Sequence, residues 1–146
     1  MRNEGNGVEI FDEIRKKWLV LTPEEWVRQH LIKFLVDDRK YPSSLIALER
    51  LVNVNGLAQR TDAVVYDRNG QALVVCECKA PEIAINQRVF DQAARYNASI
   101  KAPYLLISNG MSHYFCKIDH IDSAFIFLKE IPTFADLENG MLKEKE

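Results

Sequence analysis

The sequence predicts a mixed α/β domain, a β-sheet flanked by helices, and three observations predict it. A capped helical stretch opens at Thr22, two β-rich runs flank Asn69-Gly70, and a second helical stretch separates that hairpin from two further apolar runs. The chain has 146 residues, the size of one domain, and can bury roughly two thirds of its unfolded surface without a disulfide framework. Hydrophobic residues at 47% and charged residues at 27% exclude a disordered chain. No apolar run approaches the ~20 residues that span a bilayer, and the opening MRNEGNGVEIFDE carries acids where an export signal needs apolar residues. Three cysteines, an odd number, fit a cytoplasmic protein with unpaired thiols. A net charge of −2 excludes a strongly basic polyanion coat and leaves room for a local basic strip.

Along the chain, residues 1–20 are expected to be an extension packed on the domain, 21–128 the domain itself, and 129–146 a loosely held tail. Thr22 suits an N-cap, Pro23 the first helical position, and Glu25 the return bond of a capping box. The helix runs to about Arg39, with Val27, Phe34 and Leu35 within about 60° of Leu31 on a helical wheel. Tyr41-Pro42 ends it, because a residue before proline leaves the α region. Strands are expected over 45–54, 61–67 and 72–79, with turns at Asn55-Gly56 and Asn69-Gly70. A second helix over 86–100 places Val89, Phe90, Ala93 and Tyr96 on one side. Strands at 104–108 and 112–118 follow, with a further short one at 125–128. The order is α-β-β-β-α-β-β.

The informative chemistry lies in that hairpin. If Asn69-Gly70 forms a two-residue loop, Asp67 faces Ala72, Tyr66 faces Leu73 and Asp62 faces Glu77. Directly opposed side chains stand with Cβ atoms about 4.5–5.5 Å apart, where two carboxylates repel. Lys79, two residues past Glu77, projects from the same face. Two arrangements satisfy such a patch. One is an ion pair with Lys79, worth at most about 1 kcal/mol if exposed. The other is a divalent cation, Mg²⁺ or Mn²⁺, held by both carboxylates with positions left for water and phosphate. From the residues alone the ion pair has the better odds, because acid–lysine alternation at a strand end is common.

Asp62, followed after fourteen residues by Glu77-x-Lys79, resembles the D…ExK signature of the PD-(D/E)xK nuclease superfamily. More narrowly, the chain resembles the N-terminal nuclease domain of type I restriction-enzyme R subunits. Pro23-Glu24-Glu25-Trp26-Val27-Arg28-Gln29 looks like that family's opening helix and Tyr41-Pro42 like its helix exit. Glu77-Cys78-Lys79-Ala80-Pro81 looks like its ExKAP segment, Gln92-x-x-x-Tyr96 like its Q-x-x-x-Y motif, and Ser108-Asn109-Gly110 like its late turn. The pieces span about residues 22–118 in the family's order. The resemblance implies a restriction-endonuclease-like mixed sheet core with helices around it (α-β-β-β-α-β), and Mg²⁺- or Mn²⁺-dependent hydrolysis of DNA phosphodiester bonds. It also implies DNA as the substrate and a separate motor or specificity subunit as partner. Asp62 and Glu77 would be metal ligands, joined by the backbone carbonyl of Cys78. Lys79 would orient the attacking water or neutralise charge growing on the phosphate. Gln92 and Tyr96, one turn apart, would hold the substrate strand or the lysine. The alternative is a non-catalytic DNA- or protein-binding module that keeps the fold.

Further residues complete the reading. Glu24 falls about 20° from Leu31, inside the apolar stripe, which makes it a candidate auxiliary metal or water contact; Glu25 lies about 120° away, as a capping residue would. Between Ile85 and Lys117 four bases, Arg88, Arg95, Lys101 and Lys117, stand against Asp91 alone. Arg88 and Arg95 share a helix face, and with Lys101 they are candidate DNA contacts. Cys76, Cys78 and Cys116 lack a metal spacing, and the Cys-x-Cys pair is read as pointing its thiols to opposite faces. No Gly-x-x-x-x-Gly-Lys occurs, so the sequence holds no phosphate loop to drive a motor.

Overall fold

A computed structural model describes residues 1–4, 7–54, 57–122, 124–140 and 142. The side chains of residues 4, 50–60, 96 and 99 lie outside that description, as does the turn expected at Asn55-Gly56. Three short strands come first: β1 (Arg2–Glu4), β2 (Gly7–Asp12) and β3 (Lys17–Val20) form an antiparallel sheet of their own. Then follow α1 (Pro23–Asp37), β4 (Ile46–Val54), β5 (Leu57–Tyr66), β6 (Ala72–Cys78), α2 (Gln87–Ile100), β7 (Tyr104–Ser108), β8 (His113–Asp119), β9 (Ala124–Phe127) and α3 (Phe134–Asn139). The predicted mixed α/β class holds, and the order α-β-β-β-α-β-β holds from α1 to β8.

The main sheet runs β4-β5-β6-β7-β8-β9, antiparallel throughout except for β6 and β7. That parallel pair is what α2 makes possible, since parallel neighbours need a crossover and a helix supplies it. From Val74 onward β6 is buried on both faces, as β7 is throughout, and both read as apolar runs, interrupted in β6 by Glu77. On one face α1 sets Val27, Leu31 and Leu35 against Ala63, Cys76 and Leu106. On the other, Phe90 and Ala93 of α2 pack against Val75, Leu105 and Ile107. Phe34 lies half out of the core, and Ile32 is buried instead. Cys76 and Cys78 both face α1, correcting the opposite-face reading, because residues two apart on a strand share a side.

From Val65 to Ala63 the hairpin takes the predicted register by a different route. Its loop has three residues, not two: Asp67 N–H bonds the Gln71 carbonyl at 2.8 Å, and Gly70 takes φ +80° at the end of the turn. Tyr66 therefore faces Ala72 rather than Leu73. A bulge between Val65 and Tyr66 absorbs the one-residue difference, and beyond it Val65 faces Val74, Val64 faces Val75 and Ala63 faces Cys76. The ladder ends at Ala63 and Cys76, one step before the Asp62–Glu77 pair that the sequence predicts.

The two ends of the chain add structure that the sequence reading did not specify. In the N-terminal extension the strands β1, β2 and β3 form a small sheet that the sequence reading did not specify, and Ile14 packs against the α1 side of the core, as an extension packed on the domain should. Part of the tail expected to be loose, residues 131–137, instead reaches the core. Ile131, Phe134 and Leu137 are buried there, and the Tyr41 hydroxyl donates to the Pro132 carbonyl at 3.0 Å. Thr133 caps α3 and Gly140 ends it at φ +68°, signals that a six-residue helix is too short to advertise by periodicity.

Candidate functional site

Where β5 and β6 reach the open end of the sheet, charge replaces hydrocarbon. Asp62 accepts two hydrogen bonds: its Oδ2 from the Cys78 backbone N–H at 2.7 Å, and its Oδ1 from Nη2 of Arg28 at 2.7 Å. The Cys78 bond ties the Asp62 side chain across to β6, where the ladder would otherwise fray. Glu77 is buried, with one oxygen taking a 2.9 Å bond from the Thr61 hydroxyl. Burial first, then the Asp62 charge, push its carboxyl up to about 8, against which the Thr61 bond works. Lys79 follows two residues on, its backbone N–H held at 2.8 Å by the Ser108 carbonyl of the parallel neighbour. Its charge acts on both Glu77 and Glu24. Glu24 comes from the first turn of α1 and stays exposed, correcting its placement inside the apolar stripe. Yet it lies close enough to Asp62 that burial and the Asp62 charge raise its carboxyl pKa. Asp62 and Lys79 thus each lie near enough to Glu77 and to Glu24 for their charges to act on them.

The buried acid of α1 is Glu25. The Thr22 hydroxyl caps the helix by accepting the Glu25 N–H at 3.0 Å. The Glu25 side chain, however, makes no return bond to the cap. It binds Arg28, Arg15 at 2.9 Å and the Gln29 amide at 2.7 Å. Arg28 is the residue that sequence reasoning missed, having entered only as a letter in the opening-helix motif. Its side chain is 8% exposed and spans Glu25, Asp62 and Glu49. Burial opposes its charge, and the bond to Asp62 with the Asp62 and Glu25 charges more than offset it, so its pKa is raised. Arg15, from the turn after β2, joins Asp12, Glu25 and Glu49. Glu49 sits in β4 at φ +52°, a left-handed conformation rare for a non-glycine strand residue.

Other expected residues stand apart. Gln92, Arg88 and Arg95 are exposed on α2, and Lys101 is its left-handed C-cap at φ +59°. The Tyr96 side chain lies outside the described residues. The Cys76 and Cys78 thiols are buried, and burial raises both pKa values, which keeps them protonated and inert.

The comparisons with known proteins bear on this arrangement. The family model for the type I restriction enzyme R protein N terminus matches residues 23–132. The chain belongs to that family. Among solved structures, it is similar to a fragment described as an HsdR subunit of a type I restriction enzyme from Vibrio vulnificus YJ016, with a TM-score of 0.58 and 19% identity over 83% of this chain. The type IIG restriction endonuclease BpuSI is similar at a TM-score of 0.46 and 20% identity over 80% of the chain. The chain spans 25% and 14% of those two proteins. No curated protein matches it. The first likeness shows the restriction-endonuclease-like fold, and the family match accounts for the mixed sheet with helices on both faces. The first three strands, with Arg15, precede the matched segment.

Whether the residues of this family member suit a divalent cation is a question of charge. Among the described residues, no three His, Cys, Asp or Glu side chains already stand at metal-ligand geometry; Arg28 and the Cys78 N–H hold the Asp62 oxygens. The donor set is nonetheless right for a hard ion. The Glu77 and Glu24 carboxyls are each pushed up, first by burial and then by the charge of Asp62. Such mutual repulsion is what a Mg²⁺-type ion relieves. Cys78 turns its N–H toward Asp62, and a strand residue presents its carbonyl along the same edge.

Proposed function

We propose that the domain is a Mg²⁺-dependent DNA endonuclease in which Asp62 and Glu77 hold the metal. What supports this reading is that the charges of Asp62 and Lys79 act on Glu77 at one strand end, in the D…ExK spacing, inside a restriction-enzyme family member. Glu24 and the Cys78 carbonyl would complete the protein ligands. A bound Mg²⁺ would supply the charge that makes hydroxide accessible near neutral pH and offsets charge on the phosphate. Lys79 would place a cation beside the attacked phosphate, and Gln92 would steady the strand. Arg88, Arg95, Tyr96 and Lys101 would touch DNA phosphates. A motor or specificity subunit of a restriction system is the proposed partner, and the cytoplasm the proposed compartment; no helix among the described residues is long and apolar enough to cross a membrane.

The test is nicking of supercoiled plasmid by the wild-type chain. Nicking that needs Mg²⁺ and stops on chelation is the expected result; plasmid left intact at high enzyme concentration ends the catalytic reading. One observation favours a second reading, a binding module without turnover: both Asp62 oxygens are already engaged by protein donors. DNA retention in a filter-binding assay without nicking would be its signature.

Metal binding carries its own expected result. A folded-state pKa of about 8 for Glu77, against an ordinary 4.5, means the metal-free fold keeps a proton that the unfolded chain has lost. Stability therefore falls as pH rises from about 4.5 through about 8. At pH 7 a cation must expel that proton. Calorimetric titration of Mn²⁺ in buffers of different ionisation enthalpy should report about one proton released, and Glu77→Gln should release none. Buffer-independent heats for the wild type would contradict this ligand assignment.

A further inference from the structure

We propose that β9 is the self-pairing edge of a homodimer, two copies joining their sheets antiparallel about a twofold axis at Ile126. β9 closes the main sheet, and among the described residues no strand covers its outer edge. Its sequence, Ala124-Phe125-Ile126-Phe127, is uncharged and free of proline, and Phe125, Ile126 and Phe127 are 38%, 37% and 37% exposed. Proteins ordinarily blunt such an edge with lysine, proline or a bulge, and an apolar one without them pairs with another chain.

The ladder with β8 shows which backbone groups are available. Leu128 N–H bonds the Phe115 carbonyl at 2.9 Å, while Phe127 faces Cys116 and Ile126 faces Lys117. In an antiparallel ladder this makes Ile126 the residue whose N–H and C=O point inward, so that those of Phe125 and Phe127 point outward. A second copy centred on Ile126 brings Phe125 opposite Phe127 of the other copy, twice, with matched N–H and C=O groups. Phe-Ile-Phe is palindromic, so the twofold pairs Ile126 with itself and phenylalanine with phenylalanine. An isologous interface requires this self-match, and an uncharged strand meets its copy without like-charge repulsion. The apolar surface continues beside the strand: Phe125 and Phe127 stand 5.1 and 5.3 Å from Phe90, and a groove of about 560 Å³ runs from Ile85 and Phe90 to Tyr114 and Phe127. This pairing stands whether or not the domain cleaves DNA.

The experiment is sedimentation equilibrium on the intact chain across the micromolar range. The expected result is reversible dimerisation. Ile126→Lys should shift the dissociation constant at least tenfold, because it places like charges on the axis while leaving the inward backbone bonds intact. Ile126→Glu should do the same, and an equimolar mixture of the two variants should recover a heterodimer, which a misfolded variant could not form. A wild-type chain monomeric throughout the range overturns the proposal, as does a dimer that the charged variants leave unchanged. Loss of dimer without recovery in the mixture overturns the twofold centred on Ile126.

Discussion

Lys79→Ala should slow Mg²⁺-dependent plasmid nicking by about 10²–10³-fold while leaving Mn²⁺ binding in place. A cation aimed at charge that develops in the transition state is worth about 2.7–4 kcal/mol in a water-poor site, and its removal costs the rate rather than the ground state. The backbone of Lys79 is fixed independently of its side chain by the Ser108 carbonyl. The substitution therefore deletes a charge without loosening the strand end. Lys79→Arg should retain part of the rate, because the charge stays and its position changes. Wild-type nicking by Lys79→Ala, with chelation still abolishing it, would remove the lysine from the mechanism and leave the carboxylates.

The second large effect is on stability. Arg28→Ala should destabilise the domain by about 3–5 kcal/mol, the range seen when one partner of a buried ion pair is removed. The side chains of Arg28, Glu25 and Asp62 are 8%, 10% and 11% exposed, so water cannot take the place of the lost guanidinium. Glu25 would keep Arg15, whereas Asp62 would keep the Cys78 backbone N–H in place of a charged partner. Thermal denaturation at pH 7 should show a fall of roughly 6–20 °C, at about 2–4 °C per kcal/mol for a domain near this size. Asp62→Asn in the same background should add less than it costs alone, since the charge it removes has already lost its partner. A loss under about 1 kcal/mol would place the network in the class of weak surface pairs.

The pieces legible in the sequence share one property: local signals specify them. Thr22-Pro23 opens a helix, strand alternation puts Glu77 and Lys79 on one side, and Pro81 and Pro103 bracket the crossover. What escaped depends on partners far along the chain. Glu25 looked solvent-facing because a helical wheel scores one helix against one core, and its burial comes from Arg15 on a separate small sheet. Arg28 looked like an ordinary helix arginine for the same reason. Glu49 gave no hint of its left-handed backbone, which glycine or asparagine would have flagged. Ile131, Phe134 and Leu137 are spaced three apart in a stretch otherwise rich in charge, and only tertiary packing reveals them as core.

The bulge between Val65 and Tyr66 has a consequence for how this hairpin can change. A turn that gains a residue and a strand that kinks by one cancel, so neither alone is neutral. Straightening the kink while the turn keeps its three residues would move Val65 from Val74 to Leu73 and Ala63 from Cys76 to Val75, setting inward side chains of one strand against outward ones of the other. Insertions and deletions at this tip should thus be tolerated in compensating pairs, a footprint that natural variants of the hairpin would carry as length changes matched on both sides.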